Sequence, residues 1–199
     1  MTIDAITLRA ALQRWSAQMV AVAPELNALD GQLGDGDLGA TLEKCAMNVA
    51  NALPQAGGSL SEVFRTAALA CAQASGSSFG TLLAQGFLTA AKHTVSHQTL
   101  ARKDVANLLA TIGTALAARG GASLGDKTVL DPLNAVAQAL AGATDEVDLR
   151  EVARKATDRT LDQFRERPNK IGRARMFAER TIGVDDPGML AFKRMVECL

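Results

Sequence analysis

VDLREVARKATDRTLDQFRE, residues 147–166, carries the clearest helical pattern of the chain. Its apolar residues recur at the spacing of one helix face, at Leu149, Val152, Ala156 and Phe164. Charged residues cover the other faces, and a charged face of this kind is usually solvated. The pattern therefore predicts an amphipathic helix that packs through one side only.

Helical spacing of the same kind continues outward from this segment to both ends of the chain. Alanine is abundant, tyrosine is absent and aromatic residues make up only 4% of the chain, which favours helix over strand. The first helix is predicted at 3–22, ending before Pro24. The other predicted helices cover about 41–53, 62–73, 81–93, 103–119, 132–140 and 188 onward. We therefore predict an all-α fold, with about eight antiparallel amphipathic helices in one domain over residues 1–199.

The overall composition excludes several classes of protein. Lysine plus arginine and aspartate plus glutamate each number 21, so there is no basic excess and no nucleic-acid partner is expected. No apolar run approaches about 18 residues and the N-terminus lacks the pattern of a signal peptide, so no membrane span is expected. Cys45, Cys71 and Cys198 are widely spaced, which is typical of free thiols in a cytoplasmic protein.

Glycine and aspartate concentrate in four connections, at 30–39, 74–80, 120–131 and 172–188. In an antiparallel helical assembly every second connection lies at the same end. Binding and catalytic residues are found disproportionately on such loops. We therefore expect the functional site where these four loops meet.

The first of these loops lies within LDGQLGDGDLG (29–39) and contains Asp30, Asp35 and Asp37. Carboxylates this close repel one another unless a cation offsets them, and hard oxygen ligands suit Mg²⁺ or Ca²⁺ rather than zinc. Counted from Asp35, the EF-hand pattern fails at Gly39. Two readings remain open: a Mg²⁺ site completed by water and phosphates, or a solvated turn whose aspartate caps a helix.

The second loop contains GSSFG (76–80), which matches the G-x-S-x-G pattern of hydrolase nucleophiles. That motif requires a preceding strand, whereas the residues before this one have a helical pattern, so a hydrolase is the least favoured reading. A turn whose amide groups face a phosphate, or a plain turn between helices, fits better.

The third loop, GGASLGDKT (120–128), nearly forms a P-loop. The P-loop lysine directly follows a glycine, but here Asp126 stands between Gly125 and Lys127, and the preceding segment is a helix rather than a strand. Lys127 is therefore expected either to contact a phosphate or to pair with Asp126 or Asp131.

The fourth loop, 172–188, contains Arg173, Arg180 and an Asp-Asp-Pro-Gly turn. Its arginines could clamp phosphates or stack on a base. The alternative is a surface loop held by local ion pairs.

Taken in order, LDGQLGDGDLG, ASGSSFGT, GDKTVLD and GRARMFAERTIGVDDPG resemble the nucleotide-binding L subunit, or L domain, of dihydroxyacetone kinases. The resemblance extends from residue 29 to about residue 188. It implies a closed barrel of eight antiparallel amphipathic helices, with a nucleotide among the loops at one end.

The same resemblance implies which residues would form the site. Asp30, Asp35 and Asp37 would hold two Mg²⁺ ions that bridge to the phosphates of ADP or ATP. Leu38 and Val184 stand where members of the family often carry histidine. The residues implied to lie near the nucleotide are Leu38, Gly39, Thr41, Ala74, Ser75, Gly76, Gly120, Thr128, Val129, Arg173, Asp186, Pro187 and Gly188.

The sugar, by the same resemblance, would be held on a histidine of a separate K subunit. Two mechanisms stay open: ATP donates its phosphate and leaves as ADP, or ADP stays bound and is rephosphorylated by a phosphotransferase-system protein. A homodimer is also left open. The alternative from another class is a non-catalytic helical binding module.

Overall fold

Eight α-helices make up most of the computed structural model, which describes residues 2–74, 77–144 and 147–199. Two short 3₁₀ helices lie in connections, at Leu53–Gln55 and Arg173–Thr181. The described residues contain no strand, only one isolated bridge between Ile3 and Leu100. The prediction of an all-α fold is confirmed. The helices are α1 (Ala5–Leu33), α2 (Leu38–Ala52), α3 (Leu60–Ala74), α4 (Ser78–His93), α5 (Arg102–Gly120), α6 (Leu130–Gly142), α7 (Leu149–Arg165) and α8 (Pro187–Glu197).

The helices form a closed ring. Each packs against the next along the chain, and α8 packs against both α7 and α1. The largest core cluster fills the space between α1, α2, α3 and α4, where the rings of Trp15 and Phe87 meet edge to face with centroids 5.8 Å apart. Across the described ranges, no helix is both long enough and apolar enough to cross a membrane.

Helix α1 is longer than predicted, because it continues through Pro24 to Leu33. Proline removes one backbone hydrogen bond and costs roughly 3 kcal/mol inside a helix. Beyond it, however, Leu26 and Leu33 are almost completely buried, and each such leucine contributes roughly 1.5–3 kcal/mol. Burial in the ring therefore outweighs the local cost, and Asp30 lies in the last turns of a helix rather than in a loop.

Helix α7 confirms the amphipathic helix predicted within residues 147–166. Its most buried face, however, is offset from the predicted apolar stripe. Leu149 and Phe164 are only half-buried, whereas Ala153, Thr157 and Leu161 are buried. The helix lies between α6 and α8 and so covers a wider face than one stripe. The Thr157 hydroxyl is satisfied within the helix, since it donates to the carbonyl of Ala153 at 2.8 Å.

Candidate functional site

The four glycine- and aspartate-rich loops meet at one end of the ring, around a cleft of about 580 Å³. Each loop contributes lining residues, for example Asp35, Ser77, Gly120 and Gly172. The expectation that these loops lie at the same end is therefore confirmed. Helix α4 begins at the cleft, with the Ser77 hydroxyl accepting from the amide of Gly80 at 3.3 Å.

Three carboxylates form what we call the acidic corner of the cleft: Asp30, Asp35 and Asp37. One oxygen from each lies within 4.8 Å of the others. Asp30 reaches across from α1 and accepts hydrogen bonds from the amides of Asp37 at 3.0 Å and Leu38 at 3.3 Å. The hydrogen bonds that Asp30 accepts therefore fix the turn that carries the other two carboxylates.

The acidic corner fits a magnesium site better than a helix cap. Asp37 stands at the N-cap position of α2, yet its side chain makes no capping hydrogen bond. Asp35 and Asp37 are exposed to the cleft, so their oxygens can be shared between a cation and water. Mg²⁺ takes few protein carboxylates and completes its shell with water and phosphate oxygens. The donor set and its spacing suit that ion.

Gly36 and Gly39 show why glycine is needed around the acidic corner. Gly36 has a φ of +75°, in the left-handed region that side chains disfavour. Gly39 lies where α2 approaches α1, and a Cβ there would overlap the carbonyl oxygen of Ala23. The two glycines therefore allow the turn and the close helix contact that hold the carboxylates together.

Arg173 lies beside the acidic corner and pairs with the carboxylate of Asp35. Both partners are exposed, at 61% and 44% of their side-chain surface, so the pair is open to exchange. Arg180, by contrast, does not line the cleft, and its guanidinium lies 5.3 Å from the centroid of the Phe177 ring. The two arginines of the fourth loop therefore have different surroundings.

Lys127 contradicts both sequence expectations. It is only 1% exposed, so it cannot reach a ligand in the cleft, and its ammonium donates to four backbone carbonyls instead of an aspartate. Asp126 and Asp131 are occupied locally: Asp126 accepts from the amide of Ser123, and Asp131 from the amides of Gly125 and Thr128. The expectation was wrong because every residue has a backbone carbonyl, so the sequence cannot show which carbonyls will surround a lysine.

The Asp186-Pro187-Gly188 turn forms the N-terminus of α8 and lines the cleft. The buried Asp186 carboxylate caps the helix by accepting from the amide of Met189 at 2.9 Å, and it also accepts from the side-chain amide of Asn169 at 2.7 Å. Its burial raises the pKa of Asp186 to about 6. This carboxylate is therefore an anchor of the turn as well as part of the cleft wall.

Most of the residues implied by the family resemblance lie at the cleft. Three of them do not line it: Gly39 and Ala74, which are buried, and Thr41 in the first turn of α2. Ser75 and Gly76 lie outside the described residues. The roles of all these residues stay predictions. The implied residues that line the cleft are Asp30, Asp35, Asp37, Leu38, Gly120, Thr128, Val129, Arg173, Asp186, Pro187 and Gly188.

An apolar wall of the cleft was missed by sequence reasoning. Leu82, Leu116 and Leu130 line it, and they also pack into one small core cluster. Their spacing matches that of any buried helix face, so no sequence signal separates them from the core. Phe79 was quoted only as part of a motif, yet its ring packs so close to Gly188 that a Cβ there would lie 3.3 Å from it. The sequence motifs singled out above contain seven further lining residues: Leu33, Ser77, Ser78, Thr81, Ala122, Gly172 and Ala174. Arg119 and Ile171 also line the cleft but lie outside those motifs.

Comparison with known families assigns most of the chain to one family. Residues 32–199 match the family model described as the DAK2 domain, and so include most of the acidic corner and all three later loops. The chain belongs to the DAK2 domain family. Its resemblance to the L subunits of dihydroxyacetone kinases is thereby confirmed.

Several characterised relatives are similar to this DAK2 domain over most of its length. It is 31% identical over 175 residues to the ADP-binding subunit DhaL of the PTS-dependent dihydroxyacetone kinase of Lactococcus lactis, covering 87% of this chain and 85% of that subunit. It is 25% identical over 179 residues to the corresponding PEP-dependent subunit of Escherichia coli, with the same coverage of 87% and 85%. It is 31% identical over 185 residues to the L-erythrulose 1-kinase of Mycolicibacterium smegmatis, covering 88% of this chain but 32% of that enzyme.

Solved structures support the same fold. The dihydroxyacetone kinase of C. freundii superposes with a TM-score of 0.77 in its native form, at 22% identity and over 96% of this chain. Its complex with AMP-PNP and Mg²⁺ superposes with a TM-score of 0.72. The DAK2 domain described here spans about a third of that kinase chain, 33% in the first comparison and 32% in the second.

Proposed function

We propose that this DAK2 domain is the nucleotide-binding, phosphoryl-transfer subunit of a dihydroxyacetone-type keto-sugar kinase. It binds ADP or ATP together with two Mg²⁺ ions and serves a sugar held on a separate K subunit. The observation that carries the proposal is the acidic corner, where three convergent carboxylates open into a cleft of about 580 Å³. The names of its relatives, ADP-binding subunits of dihydroxyacetone kinases, support the same conclusion.

Asp30, Asp35 and Asp37 would hold the metal ions. Bound Mg²⁺ would offset the negative charge of the nucleotide phosphates, which is most of what phosphoryl transfer requires. Arg173 would exchange its partner, leaving Asp35 to the metal and turning its guanidinium toward a phosphate. The chain itself would then supply binding and orientation rather than a nucleophile.

Two other parts of the cleft suit a nucleotide. The N-terminus of α4 at Ser78 and Phe79 presents backbone amides, and a helix N-terminus favours phosphate through those amides and its dipole. The apolar wall of Leu82, Leu116 and Leu130 would accept the flat face of the base. The phosphates would then lie at the start of α4, and the base against the three leucines.

The sugar and the phosphate donor depend on partners. Dihydroxyacetone and L-erythrulose, the sugars named for the relatives, are both hydroxymethyl ketones, so the proposed acceptor is a small sugar of that class. ADP that is retained through purification, detected by absorbance and mass spectrometry, would favour rephosphorylation in place by a phosphotransferase-system protein. Exchange with free ATP would favour the other mechanism. The three cysteines are free thiols, in keeping with the proposed cytoplasmic location.

The proposal is tested by calorimetry with ADP at millimolar Mg²⁺. Asp35→Asn and Asp37→Asn should each lower ADP affinity at least about tenfold, or about 1.4 kcal/mol, and remove its dependence on Mg²⁺. Their circular dichroism should stay helical, because both side chains are exposed. Asp158→Asn is the matched control, since Asp158 is an exposed carboxylate that does not line the cleft. A wild type with no thermal shift in Mg-ADP or Mg-ATP would instead favour a non-catalytic binding module.

A further inference from the structure

The ammonium of Lys127 is buried among backbone oxygens. Nζ lies 3.1 Å from the carbonyl of Arg165, 2.8 Å from that of Arg167, and 2.7 Å from those of Thr181 and Val184. An ammonium carries three protons, so at least one is shared between two carbonyls. A neutral amine would have only two to donate, and the carbonyl dipoles therefore favour the charged form even though burial lowers the pKa of Lys127.

The four carbonyls lie at the two ends of a single loop. We call residues 165–184 the arginine loop, because its middle carries Arg173. The carbonyls of Arg165 and Arg167 precede that middle part, and those of Thr181 and Val184 follow it. The Lys127 ammonium thus ties together the two ends from which Ile171, Gly172, Arg173 and Ala174 project to the cleft.

Lys127 is also connected to two other segments of the cleft. Thr128 and Val129, which follow it directly, line the cleft. Its own carbonyl accepts from the side-chain amide of Asn169 at 2.9 Å, and that amide also donates to Asp186 at 2.7 Å. One buried side chain therefore connects two of the four loops that form the cleft, its own and the one that carries Arg173 and Asp186.

The backbone at Lys127 indicates that the side chain has a specific role. It is the one described residue other than glycine with a positive φ, at +61°. This conformation costs roughly 1 kcal/mol or more for a residue with a Cβ, and glycine or asparagine would adopt it more easily. A lysine at this position is explained by the contacts of its ammonium rather than by the turn.

We propose that Lys127 is a positioning residue whose ammonium acts as a built-in cation for the arginine loop, holding Arg173 and the Asp186 turn at the cleft. It touches no ligand itself. The inference rests on the proposed nucleotide site for its functional consequence, whereas the ordering of the loop can be measured without a nucleotide. Loss of the charge should therefore loosen the arginine loop selectively and weaken nucleotide binding more than metal binding.

The test replaces the lysine and then returns its charge. Lys127→Ala removes the side chain beyond Cβ, a volume that n-propylammonium matches. Calorimetry should show Mg-ADP affinity at least about tenfold below that of the wild type, with recovery of several-fold in millimolar n-propylammonium. The neutral 1-propanol should give no recovery, and Lys155→Ala, which removes a lysine that is 62% exposed, should behave as the wild type.

A second variant keeps the inference testable if the alanine variant does not fold. Lys127→Met retains an unbranched stem of similar length without the charge. Amide hydrogen exchange in 168–183 should accelerate at least about tenfold in this variant, while α2 and α3 keep their protection. Mn²⁺ affinity measured without nucleotide should not fall more than about twofold below that of the wild type, because the acidic corner lies in the last turn of α1 and the turn before α2, outside the arginine loop.

Three results would overturn the inference: unchanged Mg-ADP affinity in both variants, recovery by 1-propanol equal to that by the amine, or a loss of protection spread evenly over all helices. A wild type that binds no Mg-ADP would overturn the proposed function instead. In that case the exchange rates of the arginine loop still decide the role of Lys127.

Discussion

The acidic corner and Lys127 carry charges of opposite sign at the same end of the ring. The carboxylates of the acidic corner are largely exposed, whereas the Lys127 ammonium is buried. The acidic corner contains carboxylates that face the cleft, and one of them is paired with an exposed arginine. Around Lys127 a single cation is withdrawn from solvent and surrounded by carbonyl oxygens. The first arrangement can exchange its partners in water, whereas the second cannot.

The difference follows from the cost of burying charge. A buried ion needs close compensation in the folded state, so its partners become a permanent part of the structure. Exposed carboxylates are solvated and screened, so their pairs are worth little and can be replaced by a cation from solution. The domain thus has a built-in cation where a loop must be held, and exposed ligands where we propose that a cation is bound.

The largest expected effect concerns Asp186, next to Lys127. Because burial raises the pKa of Asp186 to about 6, the folded state favours the protonated form. Its contribution to the free energy of unfolding is full below about pH 4, the ordinary pKa, and is lost as the pH rises through about 6. Between pH 4 and pH 7, the free energy of unfolding of the wild type should fall by up to about 3 kcal/mol relative to that of Asp186→Asn. Urea unfolding at each pH measures this difference.

Asp158→Asn provides the control for this pH series, because the Asp158 carboxylate is exposed and forms an ion pair with Lys193. The difference in free energy of unfolding between this variant and the wild type should change by less than about 1 kcal/mol over the same pH range. A flat difference for Asp186→Asn would show that the protein accepts a negative charge beside Lys127 as readily as water does.

A smaller effect is expected at Gly39, which holds the acidic corner against α1. In Gly39→Ala the new methyl group would collide with the carbonyl oxygen of Ala23, so the two helices must separate. We expect a loss of about 2 kcal/mol in the free energy of unfolding, the usual size for overpacking. Gly142→Ala is the matched control, since a Cβ at Gly142 in α6 meets nothing within 4 Å. Equal stability of the two variants would mean that α1 and α2 are not held at this distance by Gly39.

The smallest effect on stability is expected at the pair of Arg173 and Asp35. Both partners are exposed, so Arg173→Ala should change the free energy of unfolding by less than about 1 kcal/mol. Metal affinity without nucleotide should rise by up to about fivefold, because a competing cation has been removed from Asp35. Mn²⁺ titration followed by electron paramagnetic resonance measures this. Arg180→Ala, from the same loop but outside the cleft, should leave it unchanged, and equal affinities for both variants would contradict the exchange of partners at Asp35.

Much of the candidate site was accessible from local pattern. The crowding of Asp30, Asp35 and Asp37 among glycines indicates a cation, and the helical spacing around the loops places them at one end of a bundle. The side chains of the apolar wall, such as Leu82 and Leu116, were not accessible, because burial in a core and exposure to a cleft require the same residue type and spacing.

By itself, the sequence of this protein determined the helices, the loops between them and the acidic character of one loop. These depend on neighbours within a few residues, through helix periodicity, turn chemistry and the repulsion of adjacent carboxylates. Only the tertiary structure decided that α1 continues through Pro24 and that Lys127 is a buried cation rather than a phosphate ligand. Both outcomes depend on residues far along the chain: core packing offsets the proline, and carbonyls of residues 165–184 surround the ammonium.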